Sequence, residues 1–219
     1  MDQPSKVDKV EPIALPKLDP QTEFETKYKT TAETLTTFKQ VVEELPGLKK
    51  FLYVQGPDYY YIKPDSKEGE IDFARYRKAE HTSDGGTLTF KQKTNSKNNV
   101  IRKEDNLDLA KNMTKEKVEA NVQRLGYKFN FSIWKMCQIY KYADATLVFY
   151  TVIDVDKKVA HFMEIEVDED TIGELTEDDA WGIIKKYEEI LAPTGITYKN
   201  RLTKSLFDMY RKSNDKEDK

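Results

Sequence analysis

Two stretches far apart in the chain, Glu23-Phe24-Glu25-Thr26-Lys27 and Phe162-Met163-Glu164-Ile165-Glu166, set acids at a spacing of two. Successive strand side chains point to opposite faces, so each stretch places two carboxylates on one face. An ordinary half-buried strand with a wet outer face alternates in the same way. Here, however, the basic stretches between them keep the same period. Arg75-Tyr76-Arg77 and Lys91-Gln92-Lys93 each put two cations on one face, and Arg102-Lys103-Glu104 puts a cation and an acid there. Carboxylates hold hard divalent cations, while guanidinium and ammonium groups hold polyanions such as triphosphate.

The composition narrows the chemistry. With two histidines and one cysteine in 219 residues, zinc is poorly served, and the acids suit Mg²⁺ or Mn²⁺ better. A net charge of −3 argues against a general nucleic-acid coat, so any phosphate binding must come from locally placed cations. Cys137, alone, excludes an internal disulfide and fits a reducing compartment. The N-terminal stretch has no apolar core of a secretory signal, and no run of about 18 apolar residues would span a bilayer. The expectation is a cytoplasmic protein.

These residues need a scaffold. Prolines 4, 12, 16 and 20 among charges read as an extended arm over 1–20, and 213–219 as a disordered tail, leaving 21–212 as one domain. Strands are predicted over 22–29, 50–54, 59–62, 71–79, 87–93, 100–105, 129–142, 146–155 and 159–167. The breaks include Gly56-Pro57 and Asp84-Gly85-Gly86. Helices are predicted from a Thr31 cap to Glu44, from Thr114 to Gly126, from a Thr176 cap to Leu191, and over 204–212. The fold class is α+β. About eight antiparallel strands close into a barrel, which removes the sheet edges, and the helices pack outside. The charged set then faces a water-filled lumen, with Phe24, Leu88, Phe90, Met163 and Ile165 facing outward under the helices.

At this point Glu23-Phe24-Glu25-Thr26-Lys27-Tyr28 resembles the Glu-x-Glu-x-Lys signature of the CYTH domain, the triphosphate tunnel metalloenzymes. Further landmarks follow in family order: Asp58-Tyr59-Tyr60-Tyr61, Arg75-Tyr76-Arg77, Thr89 to Lys93, Arg102 with Glu104, Lys135, Asp154 and Phe162 to Glu166. Lys204-Ser205-Leu206-Phe207-Asp208-Met209 resembles the closing segment. Two departures stand out. Lys135-Met136-Cys137 occupies the place of a Lys-x-Arg pair, and Val159-Ala160-His161 that of a frequent glycine. Cysteine cannot donate as a guanidinium does, so one phosphate contact is absent or is supplied by Gln138 or Lys141.

The resemblance implies a metal set of Glu23, Glu25, Glu104, Asp154, Glu164 and Glu166, with Mg²⁺ or Mn²⁺ as cofactor. It implies substrate binding by Lys27, Arg75, Arg77, Lys91, Lys93, Arg102 and Lys135, and catalytic roles for Glu23, Glu25, Lys27, Arg75 and Arg77. The activity it implies is metal-dependent hydrolysis of a triphosphate: tripolyphosphate, thiamine triphosphate, a nucleoside triphosphate or an RNA 5′ end. A cyclase making cyclic nucleotide and pyrophosphate is the alternative, and a non-catalytic module for phosphorylated ligands a third. Monomer and homodimer both stay open. His81 and His161 are read as structural or solvated, Cys137 as a packed or lumen-facing neutral residue, and the Trp181/Tyr187 face as core; the tyrosine run at 59–61 is read as packing, with an aromatic at the tunnel mouth that stacks on a base or thiazole as the alternative.

Overall fold

A computed structural model describes residues 16–64, 71–80, 84–92 and 100–211. Eight strands form one closed antiparallel barrel: β1 (Thr22–Thr30), β2 (Lys50–Ile62), β3 (Ile71–Arg77), β4 (Thr87–Gln92), β5 (Ile101–Asp108), β6 (Lys128–Lys141), β7 (Ala145–Ile153) and β8 (Val159–Val167). Around the barrel the order is β1-β5-β4-β3-β2-β6-β7-β8. Among the described residues four α-helices accompany it: α1 (Thr34–Glu44), α2 (Lys115–Arg124), α3 (Glu177–Ile190) and α4 (Leu206–Tyr210).

The outer layer follows from alternation. Phe24, Tyr28, Met163 and Ile165 point out of the barrel and are fully buried against Phe38 and Val42 of α1 and Ile184 and Tyr187 of α3. Leu88 is buried and Phe90 packed under Val118 and Val122 of α2. Removing each large apolar side chain from water contributes about 1.5–3 kcal/mol. The helix starts are capped as their sequences suggest. Thr114 accepts from Lys117 N–H, and Thr176 with Asp179 forms a reciprocal capping box.

Four expectations need correction. Gly56-Pro57 does not break the second strand, because Gly56 adopts φ +154 and lets the chain continue through one irregular residue. A Cβ there would fall 2.5 Å from the Lys78 carbonyl, so only glycine fits. Thr31 does not cap α1, whose N-cap is Glu33 with no side-chain bond. The last helix spans only Leu206–Tyr210, started by a Ser205/Asp208 capping box. Finally, Lys17 bridges Thr176 and Leu18 N–H donates to Leu175, so the folded part takes in the end of the proline-rich arm. Lys93, His81 and 213–219 lie outside the described residues.

The lumen is not water-filled throughout, which corrects a further expectation. At one end Tyr60, Phe73, Phe131, Tyr150, Val152 and Phe162 point inward and meet Leu206 and Phe207 of α4. Phe207 stacks on Phe73 with centroids 4.2 Å apart, and Tyr60 on Phe131 at 4.5 Å. The segment before α4 is tied down. Leu202 N–H donates to the Lys27 carbonyl at 2.7 Å, and Arg201 grips buried Glu188 of α3 through two bonds of 2.6 Å. This plug leaves the charged end of the barrel as a blind cavity. Among the described residues no helix is long and apolar enough to cross a membrane.

Candidate active site in the barrel lumen

The charged end encloses a cavity of about 210 Å³, far above the ~10–15 Å³ that one water requires. Strand register decides who meets whom. Glu25 stands opposite Glu166 and Lys27 opposite Glu164 across β1 and β8, while Glu23 stands opposite Arg102 across β1 and β5. Lys91 faces Glu104, Asp58 faces Arg77, and Tyr60 faces Arg75. Glu23, Glu25, Lys27, Arg75, Arg77, Lys91, Arg102, Glu104, Lys135, Glu164 and Glu166 all line the cavity, in agreement with the inward face predicted for them.

Asp154 does not line it, and this departs from the expected metal set. It sits after β7, where its Oδ1 accepts from the N–H groups of Asp156 and Lys158 and shapes the β7–β8 turn. A short acidic side chain at a turn bonds its own neighbouring backbone readily.

Two lysines neutralise most of the acids. Lys91 Nζ lies 2.6 Å from both carboxylate oxygens of Glu23 and 2.6 Å from Glu104 Oε2. Lys27 bridges Glu164 and Glu25, the latter at 3.3 Å, and the Tyr150 hydroxyl donates to Glu164 at 2.7 Å. Among the described residues no three acids converge as a ready metal cage. The electrostatic balance differs from one carboxylate to the next. Burial raises Glu25, but Lys27, Lys91 and Arg102 outweigh it and hold the group well below the usual carboxylate range. Burial and the charge of Glu25 raise Glu23. Burial, reinforced by Glu23, Glu25 and Glu104, pushes Glu166 up to about 8. A proton on Glu166 thus relieves the crowding of acids that a bound cation would equally relieve, and all the donors are oxygens, as Mg²⁺ or Mn²⁺ requires.

The opposite wall is basic. Arg77 is clamped by Asp58, with Nε and Nη2 each donating at 2.6 Å to one carboxylate oxygen. Asp58 is fully buried, and Arg77 pulls its pKa down to about 2 against the effect of burial. Among the described residues Arg75 makes one bond, Nη2 to Thr89 at 3.3 Å, and its buried Nε has no partner. Arg102, 6% exposed, likewise has a buried Nε without a partner. Lys135, 5% exposed, rests its ammonium 4.0 Å over the Tyr150 ring. Burial, with Arg77 and Arg75 nearby, lowers Lys135 to about 8. Three cations thus face the cavity without an acid partner among the described residues. Unmatched buried donors are costly, and a bound anion satisfies them.

The structure adds groups that sequence reasoning left without a role. Asp58, quoted only as a landmark, sets Arg77; its inward position two residues before Tyr60 on one strand was the available signal. Thr89 and Asn106 link Arg75 to Glu104 through bonds of 2.7 and 2.6 Å, and Tyr150 supports both Glu164 and Lys135. Cys137, Ile139 and Val148 form an uncharged strip of the wall, so the place expected for an arginine carries a buried thiol.

No family model matches the chain, and no curated protein matches it in sequence. Solved structures do match. The PH1012 protein of Pyrococcus horikoshii is 23% identical with a TM-score of 0.62, covering 84% of this chain and 96% of that one. A chain of the Schizosaccharomyces pombe Mediator head module is 12% identical with a TM-score of 0.58, covering 78% and 94%. A candidate adenylate cyclase from Vibrio parahaemolyticus is 15% identical with a TM-score of 0.55, covering 85% and 95%. The chain therefore shares its closed eight-stranded barrel fold with these structures, and that is the fold which the resemblance read from the sequence implies.

Proposed function

We propose that the charged half of the lumen binds a triphosphate together with Mg²⁺ or Mn²⁺ and hydrolyses it. The observation that carries this reading is the set of buried cations without acid partners among the described residues: Arg75 and Arg102, each with an orphan Nε, and Lys135. An anion rich in oxygens supplies what those donors lack. Glu25 and Glu166, opposite one another, with Glu23 beside them, are the oxygen donors for a divalent cation. Mg²⁺ is commonly held by one or two carboxylates plus substrate phosphates, so a preformed three-acid cage is unnecessary. The metal would neutralise charge on the phosphate oxygens. Arg75, Arg77 and Lys27 stabilise charge that develops on the transferring phosphoryl group, and Asp58 keeps Arg77 in place. The blind inner end admits the substrate from one side only.

Hydrolysis needs a bound triphosphate and a water. Cyclisation further requires base and ribose to be held so that the 3′-oxygen lies in line with the α-phosphate. Besides the charged groups and the short apolar strip, the described lining holds Tyr60, Phe73 and Phe207, whose rings are already stacked on one another or on Phe131 in the plug, so they do not form a base-reading pattern. A non-catalytic reading has one observation in its favour, the absence of converging acids among the described residues.

The test offers tripolyphosphate, thiamine triphosphate, ATP and triphosphorylated RNA to the purified protein with Mg²⁺ or Mn²⁺. Free phosphate is the expected product. Cyclic nucleotide with pyrophosphate would replace this reading by a cyclase, and tight binding without turnover by a binding module.

A further inference from the structure

Cys137, the single cysteine of the chain, lines the cavity but has no part in the proposed hydrolysis. Strand β6 turns Lys135, Cys137, Ile139 and Lys141 inward in succession, so the thiol stands one inward step from Lys135 and two from Lys141. Lys141 and Glu169, both reached by solvent, pair at 3.5 Å and line the same cavity. A small solute therefore has a path along β6 from water past Ile139 to the sulfur.

A structural buried thiol is inert because apolar groups surround it. Here the wall beside it is cationic. Lys135, 5% exposed, has no acid partner among the described residues, and its ammonium rests on the Tyr150 ring at 4.0 Å. Arg75 and Arg102, which line the same cavity, each carry a buried Nε without a partner among the described residues. A negative charge on the Cys137 sulfur acts on both Lys135 and Arg77 and favours their charged forms. An acid formed at this position meets cations that lack one.

We propose that Cys137 is a site of covalent oxidation by hydroperoxides, and that its sulfur ends as a sulfinate held by Lys135 in the place of a bound anion. In the first step the sulfur attacks one peroxide oxygen. An S–O bond forms, the O–O bond breaks, and the thiol proton leaves with the other oxygen as water or an alcohol. Sulfur loses two electrons, the peroxide gains them, and a sulfenic acid results. A second thiol commonly traps such an acid as a disulfide. This chain has no second cysteine, and Cys137 is only 4% exposed, which keeps bulky thiols away. A second peroxide therefore repeats the step, and the sulfinic acid formed releases its proton. The two sulfinate oxygens accept from the Lys135 ammonium in a charge-assisted bond, as a carboxylate would. The anion site is then closed to other anions.

The modification rests on the cavity and its cations, and only the competition with triphosphate rests on the reading given under Proposed function. The reduced full chain and Cys137→Ser are treated side by side with graded hydrogen peroxide. Peptide masses should show two oxygen atoms added at Cys137, with dimedone trapping the sulfenic acid on the way. Methionine oxidation is common to both chains and cancels in the comparison. On oxidation the melting temperature of the wild type should rise by a few degrees, because the new acid pairs with buried cations. That of Cys137→Ser should not rise, and the gain should vanish in Lys135→Met. Inorganic tripolyphosphate with Mg²⁺, followed by calorimetry, should bind the oxidised wild type about tenfold or more weakly, since like charges then meet in the cavity. A Cys137 that stays reduced while methionines take up oxygen would overturn the proposal. So would a sulfinate that lowers the melting temperature, as an unpaired buried charge does, or one that leaves tripolyphosphate binding unchanged. If the reduced chain binds no tripolyphosphate while Cys137 still oxidises with the rise in melting temperature, the modification site stands and the triphosphate reading of the lumen falls.

Discussion

The two ends of the lumen obey one rule of side-chain alternation and reach opposite results. At the α4 end the inward residues are Tyr60, Phe73, Phe131 and Phe162, which cluster with Phe207 into an apolar plug, Phe207 stacking on Phe73 and Phe131. At the other end the same strands turn Arg75, Lys135, Glu164 and Glu166 inward around a cavity. Strand β8 changes from one regime to the other between Phe162 and Glu164, and β3 between Phe73 and Arg75, in a single step of two residues. The difference teaches how the barrel can hold so many like charges. Crowded cations and carboxylates repel strongly at low effective dielectric. Here the charged end sits on an apolar end whose packing does not depend on their ionisation.

That contrast can be broken most severely from the plug. Phe207→Ala removes a side chain 3% exposed and should cost about 3–5 kcal/mol of unfolding free energy, measured by denaturant titration. If the plug is the foundation, loss of turnover should follow loss of fold. A variant that stays equally stable but loses activity would instead mean that α4 belongs to the substrate site.

From the charged end, Arg75→Ala should lower triphosphate turnover by about 10²-fold with little loss of stability, because its Nε has no partner to strand. Steady-state kinetics beside a melting curve separate the two effects. An equal fall in both would place Arg75 among the structural ion pairs.

Glu166→Gln sharpens the comparison through pH. Burial and the neighbouring acids push Glu166 up to about 8. Between the ordinary carboxylate range and that value the folded chain keeps a proton that the unfolded chain has released. Stability from this group is thus full at low pH and is lost as pH rises through the folded value. The glutamine variant should show a flatter melting temperature between about pH 5 and about pH 8, and should gain a few degrees on the wild type at the upper end. Its metal-dependent turnover should fall. An unchanged pH profile would show that Glu166 does not bear the crowding.

The smallest effect is expected at Asp154→Ala. That carboxylate holds the β7–β8 turn and lies outside the cavity, so turnover should be unchanged and stability reduced by about 1 kcal/mol. A large loss of turnover would move Asp154 back into the metal set.

Much of this was legible in the chain itself because period two is a strong local signal. It placed Glu23, Glu25, Arg75, Arg77, Lys91 and Glu166 on one face, and it put Phe24, Met163 and Ile165 on the other. The strand continuing through Gly56-Pro57 was not legible, because local composition favours a turn there and only the close approach of the Lys78 carbonyl explains the glycine. Asp154 was misplaced because an acid after a strand reads alike whether it enters a lumen or caps a turn.

The residues alone determined the alternation, the helix caps at Thr114 and Thr176, and the inward face of Glu23, Glu25, Arg75, Arg77, Lys91 and Glu166, since all of these depend on neighbours within a few positions. Which charges neutralise one another was decided only by tertiary structure. Lys91 meets Glu23 and Glu104, Lys27 meets Glu164, and Asp58 takes Arg77, while Arg75, Arg102 and Lys135 are left facing the cavity. The order and register of strands around a closed barrel set those meetings. Coulomb energy at contact distance depends on that geometry, which is not written in the spacing of any one strand.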